Sequence, residues 1–145
     1  MFAKIFIPIF LLVAPTHWET DFDNAKKTAN EKHQLILLNF SGSDWCGPCI
    51  VLRKDYFESQ AFADFADQNL VLVNADFPRK KKNIASTEQV KRNEALAEKY
   101  NKNGNFPFTL LLDANGEVLK TWTGKPSGTL EQWIAEIKAI GDARK

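Results

Sequence analysis

Continuous apolar runs alternate along the chain with segments of mixed polarity, and this pattern predicts alternating strands and helices. The runs LILLNF at 35–40 and LVLVNADF at 70–77 are short and almost wholly apolar, which is typical of strands buried on both faces of a sheet. Apolar residues that favour a helix lie between them: Ile50, Val51, Phe57, Phe62 and Phe65. We therefore expect a strand, a helix broken near Ser59, and a second strand parallel to the first.

Three further segments carry the pattern of amphipathic helices. In residues 20–33, Phe22, Ala25 and Ala29 lie on one face. A second helix begins near Ser86, which has capping-box spacing to Gln89, and breaks at 101–105. A third begins at a similar pair, Thr129 and Gln132, carries an apolar stripe, and is expected to end before Gly141. The stripe consists of Leu130, Trp133, Ile134 and Ile137.

A β-hairpin is predicted before the last helix. The runs FPFTLLLD at 106–113 and EVLKTWTG at 117–124 are separated by a short turn that contains Asn-Gly, a strong signal for antiparallel strands. These elements sum to one α/β domain, residues 17–145, with a central mixed sheet of four to five strands flanked by helices on both faces.

The first residues predict a secretory signal peptide at 1–16. MFAK is a basic start and IFIPIFLLVA is an apolar run of about ten residues, roughly half of what a membrane-spanning helix needs. We therefore expect a periplasmic or secreted protein. The cleavage site is poor, because Pro15 would follow the cut and Leu12 stands where a small residue is preferred, so an uncleaved, tethered form stays open. An N-terminal strand of the fold is the other alternative.

Composition and charge exclude some classes of function. The chain has 145 residues, is 44% hydrophobic and carries a formal net charge of +1, so it suits a single folded domain and has no global field that would attract nucleic acid. We expect a monomer that binds no nucleic acid. Trp18, Trp122 and Trp133 are interpreted as packing residues.

Both cysteines of the chain lie in WCGPC at 45–49, which leaves a structural disulfide, half of a metal site, or a redox pair. A two-residue gap closes too small a loop to stabilise the fold much. A zinc site needs four ligands, and His17 and His33 are not spaced as a ligand pair. The redox interpretation fits better, because Cys46 follows a strand and falls at the first turn of a helix, where the helix N-terminus lowers the pKa of a thiol. Pro48 suits that first turn, and Gly47 lets another backbone approach the sulfur.

The motif WCGPC after an apolar strand, with Phe106-Pro107 opening a later strand, resembles the thioredoxin family. SGSDWC and DFP are similar to its exported branch. The resemblance implies the thioredoxin fold, with Cys46 as the attacking thiolate and Cys49 as the buried resolving thiol. It also implies that Trp45 flanks the dithiol and that Pro107 is a cis-proline whose neighbour Phe106 pairs with substrate.

The chain departs from this family at three positions. Asn39 stands where the family has a buried acidic residue that accepts the proton of the resolving thiol, and an amide cannot do so. Phe108 replaces the Thr that often follows the cis-proline, and Lys54 replaces a helix-kinking proline. We expect slower resolution of the mixed disulfide and a distinct substrate surface.

Two charged features near the motif have simple interpretations. Asp44 is a solvated carboxylate that raises the pKa of Cys46 modestly. The run Arg79 to Lys82 is a solvated loop, with docking of an acidic partner as the alternative.

The sequence therefore predicts a thiol:disulfide oxidoreductase that exchanges disulfides with protein substrates, as a reductase or interchange protein. Cys46 and Cys49 are the expected catalytic residues, and Trp45, Gly47, Pro48, Phe106 and Pro107 the expected substrate-binding residues. The reaction requires no metal or organic cofactor, but a reductase needs a membrane or soluble thiol electron donor. The competing hypothesis is a non-catalytic binding module that holds a client at the cis-proline groove.

Overall fold

A five-stranded mixed sheet runs through the computed structural model, which describes residues 16–145. Its strands lie in the order β1-β3-β2-β4-β5; β1 and β2 run parallel to β3, and β4 is antiparallel to both β2 and β5. The strands are β1 (Trp18–Glu19), β2 (Leu35–Ser41), β3 (Leu70–Asp76), β4 (Phe108–Leu112) and β5 (Val118–Thr123). The predicted mixed sheet, parallel crossover and hairpin are confirmed. The predicted signal peptide lies, except for Thr16, outside the described residues.

Five α-helices cover the two faces of the sheet. They are α1 (Phe22–Lys32), α2 (Gly47–Leu52), α3 (Gln60–Asn69), α4 (Thr87–Tyr100) and α5 (Leu130–Asp142). The predicted break near Ser59 is confirmed, because Ser59 caps α3. Within residues 16–145, no helix has the length and hydropathy that a membrane span requires.

Alternation along the strands divides the buried side chains into two cores. Even-numbered residues of β2 face one core with α1 and α4, which consists of Ala25, Ala29, Ile36, Leu38, Phe40, Val71, Val73, Ala75, Leu96, Leu110 and Leu112. The other core, with α2, α3 and α5, consists of Leu37, Leu52, Tyr56, Phe57, Phe62, Ala66, Leu70, Leu72, Leu111, Trp122, Trp133 and Ile137. Trp18 packs against its edge, so the three tryptophans are packing residues as predicted.

A turn of π-helix, Arg53–Phe57, joins α2 to α3. It lies at the position where Lys54 replaces the family's helix-kinking proline. The wider turn carries two consecutive aromatic side chains, Tyr56 and Phe57, into the core, where both contact the Trp133 ring. A π-turn thus occupies the position of the family's proline and links α2 to the segment that ends at Ser59, the cap of α3.

Two elements differ from the prediction. The edge strand β1 was missed, because Trp18 and Glu19 are too few residues to form a pattern. The expectation that the last helix ends before Gly141 was wrong: α5 continues to Asp142. Gly141 packs against Leu35, where a Cβ would stand at an ordinary contact distance of 3.6 Å, so the helical backbone continues past it without a clash.

The connection from β3 to α4 is held to the sheet by Asp44. The carboxylate of Asp44 accepts hydrogen bonds from the backbone N–H groups of Arg79 (2.9 Å) and Lys80 (3.0 Å) and from the side-chain amide of Asn83 (3.0 Å). The hydrogen bond from the Arg79 N–H, with that from Asn83, lowers the pKa of Asp44 from 3.8 to about 2. Asp44 is therefore a clamp for this loop as well as a solvated carboxylate.

The capping box of α5 generates a stability prediction. Thr129 Oγ1 accepts from the Gln132 N–H, and Gln132 Oε1 accepts from the Thr129 N–H at 2.9 Å. We expect Thr129→Ala to lower the free energy of unfolding by about 1 kcal/mol, because the N-terminal N–H loses its acceptor. Urea denaturation followed by circular dichroism measures this. Thr129→Ser is the matched control and should retain most of the stability; an equal loss in both variants would contradict the role of the cap.

The Asp44 clamp generates a pH prediction. Because its pKa is depressed in the folded state, its contribution to stability is fully present above pH 3.8 and is lost as the pH falls through about 2. In wild type, the amide proton signals of Arg79 and Lys80 should titrate with a midpoint near pH 2, measured by NMR while the sheet signals remain native. Asp44→Asn should abolish the transition. A wild-type midpoint near 3.8 would show that the clamp does not form.

Candidate active site

Cys46 and Cys49 are joined by a disulfide at the point where the chain leaves β2 and enters α2. Cys46 is the N-cap residue of α2, as the sequence predicted, and its Sγ accepts a hydrogen bond from the Cys49 N–H at 3.3 Å. Pro48 occupies the first helical turn, where its missing N–H breaks no helical hydrogen bond. The first turn of the helix thus directs the Cys49 N–H toward the Cys46 sulfur.

Exposure does not distinguish the two cysteines in this oxidised form, since each residue is only 4% exposed. Gly47 and Pro48 between them are exposed. A Cβ on Gly47 would meet nothing within 4 Å, so the space above the motif is open. The dithiol therefore lies beneath an accessible surface formed by the two residues that separate the cysteines.

Trp45 forms one wall of the site. Its indole N–H donates to the Phe77 carbonyl at 2.7 Å, and its ring lies edge-on to the Phe106 ring with centroids 5.5 Å apart. The Arg79 guanidinium stacks over the same indole, 3.8 Å from the ring centroid. Trp45 is thereby held between the Phe106 loop and the segment that follows β3, and sequence reasoning missed the contact with Arg79.

Gly42 makes this position of Trp45 possible. A Cβ on Gly42 would overlap the indole ring, so only glycine fits there. The neighbouring Ser43 is fixed as well, because its N–H (2.9 Å) and hydroxyl (2.5 Å) both donate to the Asp76 carboxylate. The sequence pattern predicted SGSD as part of the motif but gave Gly42 and Ser43 no role, although a glycine three residues before the tryptophan is consistent with a close approach of the ring.

The Phe106 loop lies beside Trp45, and the Phe106-Pro107 peptide bond is cis, as the resemblance implied. Pro107 is buried, and its carbonyl accepts from the Gly124 N–H at 2.9 Å. Asn101 holds the start of the loop through two hydrogen bonds to the backbone of Asn105. Within residues 16–145, the N–H and carbonyl of Phe106 have no hydrogen-bond partner.

Asn39 lies at the centre of a polar row that crosses three strands. It pairs in register with Asn74 of β3 and Thr109 of β4. The Asn39 amide donates to Asn74 Oδ1 at 3.0 Å, and the Thr109 hydroxyl donates to Asn39 Oδ1 at 3.1 Å. The buried amide is therefore hydrogen-bonded at both its oxygen and its nitrogen, which avoids the penalty for an unsatisfied polar group.

A cavity of about 580 Å³ lies behind the dithiol. Cys49, Asn39 and Asn74 line it, together with the side chains of Arg53 and Glu58. The last two are exposed and form an ion pair with a 3.4 Å separation, so the cavity reaches solvent at that side. The resolving cysteine predicted from the sequence is thus adjacent to a largely apolar space into which a few polar side chains, Asn39 and Asn74 among them, project.

The residues predicted for substrate binding lie in two adjoining segments. Gly47 and Pro48 separate the two cysteines and Trp45 precedes them, while Phe106, joined to Pro107 by the cis bond, contacts the Trp45 ring. Among residues 16–145, no three His, Cys, Asp or Glu side chains cluster in the way that metal ligands do. The arrangement has the parts that disulfide exchange needs: a dithiol at a helix N-terminus and an open surface beside it.

Comparison with known proteins agrees with this chemistry. A thioredoxin-like family model matches residues 17–114. The disulfide bond reductase DsbH of Chlamydia pneumoniae is 34% identical over 129 residues, which cover 89% of this chain and 75% of the relative. The thioredoxin-related protein DsbJ of the same organism is 32% identical over 95 residues, although these span only 26% of its length.

Solved structures show the same relationship. A DsbH oxidoreductase structure superposes with a TM-score of 0.79 at 32% identity, covering 89% of this chain and 86% of that one. A poplar thioredoxin h shares the fold, at 20% identity and a TM-score of 0.61. The match covers 89% of this chain and 98% of the poplar chain. The two DsbH matches favour the enzyme over the non-catalytic binding module. The chain belongs to the thioredoxin-like family and is a thioredoxin-fold disulfide oxidoreductase.

Proposed function

We propose that this protein reduces disulfide bonds in protein substrates, with Cys46 as the attacking thiolate and Cys49 as the resolving thiol. The observation that carries the proposal is the Cys46–Cys49 disulfide at the N-terminus of α2, with the Cys49 N–H directed at the Cys46 sulfur. The relative named a disulfide bond reductase supports the reducing direction.

In the first step, the Cys46 thiolate of the reduced protein attacks one sulfur of the substrate disulfide. A bond forms between Cys46 and that sulfur, the substrate S–S bond breaks, and the departing substrate thiolate takes up a proton. The N–H of Cys49 and the free end of α2 stabilise the thiolate before the attack, since a helix N-terminus favours negative charge.

In the second step, Cys49 loses its proton and attacks the Cys46 sulfur. The mixed disulfide breaks, the second substrate thiol leaves, and two electrons have passed from the dithiol to the substrate. Asn39 cannot accept the Cys49 proton, so water in the adjacent cavity takes it and passes it to solvent near Arg53 and Glu58. Water is a weak base for a thiol, and this step is therefore slow relative to one with a buried carboxylate.

The substrate backbone binds beside Phe106. The N–H and carbonyl of Phe106 form no hydrogen bond with any other described residue. They offer an edge with which an extended segment of the substrate pairs. Trp45, Gly47, Pro48 and Pro107 form the rest of this surface. A protein substrate should therefore react faster than a small disulfide, which has little backbone to pair with this edge.

The protein is exported, and it receives the electrons for each cycle from a donor outside this chain. The basic start and apolar run at 1–16 support a signal peptide, with the mature domain at 17–145 acting as a monomer in the periplasm or outside the cell. Such compartments are oxidising, so a membrane or soluble thiol donor must reduce the 46–49 bond after each cycle.

The assigned roles of the cysteines predict which variant traps substrate. Reduced Cys49→Ser should form a stable mixed disulfide with insulin, because Cys46 still attacks but nothing resolves the intermediate. Cys46→Ser should form little, and the double variant none. Non-reducing gel electrophoresis and mass spectrometry measure the adducts. Equal trapping by both single variants would overturn the assignment, and wild type that reduces neither insulin nor a small aromatic disulfide would overturn the proposed function.

The position of Asn39 predicts that a carboxylate introduced there accelerates the attack of Cys49 on the mixed disulfide. Asn39→Asp introduces a buried carboxylate next to the cavity, which should accelerate the attack of Cys49 roughly tenfold or more by general-base catalysis. A small aromatic disulfide gives two kinetic phases, the first from attack by Cys46 and the second from attack by Cys49, and only the second should become faster. Asn39→Leu removes the amide without adding a base and should show no gain. A similar second phase in wild type and Asn39→Asp would mean that this site does not reach the proton of Cys49.

A further inference from the structure

Four consecutive cations form the segment Arg79–Lys82, which we name the basic loop. All four residues are exposed. The chain as a whole is nearly neutral, with 19 Lys and Arg against 18 Asp and Glu, so the loop is a local concentration of charge. A solvated loop of this composition needs no fixed position, yet the structure gives it one.

Two contacts fix the basic loop beside the dithiol. Asp44, two residues before Cys46, accepts hydrogen bonds from the N–H groups of Arg79 and Lys80. Arg79 then stacks on Trp45, the residue that precedes Cys46. Both anchors belong to the turn at 42–46 that leads into the active site, so they hold the start of the loop to that turn.

The positive charge of the loop is only partly offset, by the Asp44 carboxylate, which interacts with the charge of Lys80. Within residues 16–145, none of its four side chains forms an ion pair with a carboxylate. Cations elsewhere do pair, as Lys125 does with Asp55 at 3.0 Å. The Asp44 carboxylate is directed to the loop backbone, which leaves the lysine ammonium groups available to a partner.

We propose that the basic loop binds acidic side chains that flank the reactive cysteine of a protein substrate or partner. This inference rests on the proposed function and names the charge of the polypeptide that the site prefers. Opposite charge at the rim accelerates encounter and fixes the register of the docked chain.

The neighbouring contacts favour a polypeptide as the occupant. Phe106, whose backbone is the pairing edge, contacts Trp45, and Trp45 contacts Arg79, so the edge and the basic loop lie on one continuous surface. An extended segment advances about 3.3 Å per residue, and acidic residues a few positions from its cysteine therefore reach the loop when it pairs at Phe106. A membrane surface would contact the charges of the loop but would make no use of the pairing edge at Phe106.

The test compares two disulfide-linked peptides of equal length, one with Asp and Glu around the cysteines and one with Asn and Gln. Reduced full-length protein is mixed with each, and the second-order rate constant of exchange is followed by stopped-flow fluorescence. We expect the acidic peptide to react roughly five- to tenfold faster at low salt, with the advantage shrinking as salt screens the charges.

The variant Lys81→Glu with Lys82→Glu should abolish or reverse this preference. Its matched control is Lys27→Glu with Lys32→Glu on α1, which makes the same change in net charge on the exposed face of another element and should keep the preference. All three proteins should react equally with a small neutral disulfide, which isolates docking from chemistry.

The other outcomes of this experiment would contradict docking at the basic loop. If wild type reduces both peptides at equal rates, docking is wrong while the proposed function stands; if it reduces none, the proposed function fails first. If the control pair loses the preference as fully as the loop pair, net charge is responsible and the loop is not. If the loop instead binds anionic lipid vesicles and shows no preference between peptides, a membrane is the partner and the proposal is overturned.

Discussion

The hydrogen bond from the Cys49 N–H to the Cys46 sulfur is the contact on which the site depends. It exists because Cys46 caps α2, and Cys46 caps α2 because β2 ends at Ser41 and the chain turns at Gly42 before the helix begins. The same short turn contains Ser43, Asp44 and Trp45, each bonded to the segment at the end of β3. One turn after a central strand therefore positions the sulfurs, the aromatic wall and the loop beyond it.

Behind the sulfurs, Asn39 stands where the family has an acidic residue, so a hydrogen-bonded amide takes the place of a carboxylate. A lone buried carboxylate would be destabilised by desolvation. Asn39 avoids this through its bonds to Asn74 and Thr109, which lie opposite it on both neighbouring strands. The consequence is an uncharged, hydrogen-bonded group in the cavity wall beside Cys49, which avoids the desolvation cost of a carboxylate at that position.

Much of this arrangement follows from the sequence, since β2 and β3 are continuous apolar runs and the helices have clear periodicity and caps. The motif WCGPC identified Cys46, Cys49 and Trp45 because it is local and chemically distinctive. Pro107 was identified through the family resemblance. The clamp by Asp44 and the stacking of Arg79 were not identified, because they join residues that are 34 to 39 positions apart and depend on where two strands end. The π-turn at Arg53–Phe57 was missed for another reason: a single wide turn leaves no signature in hydrophobic spacing.

The clamp on the basic loop also bears on how long the protein survives among proteases. An exposed Arg-Lys-Lys-Lys run is a cleavage sequence for trypsin-like enzymes, which bind several residues in an extended conformation and therefore require local unfolding. Three hydrogen bonds to one carboxylate and an indole stacked beneath Arg79 oppose that unfolding. Asp44 therefore disfavours the extended conformation that cleavage of this segment requires, while leaving the charges of the segment on the surface.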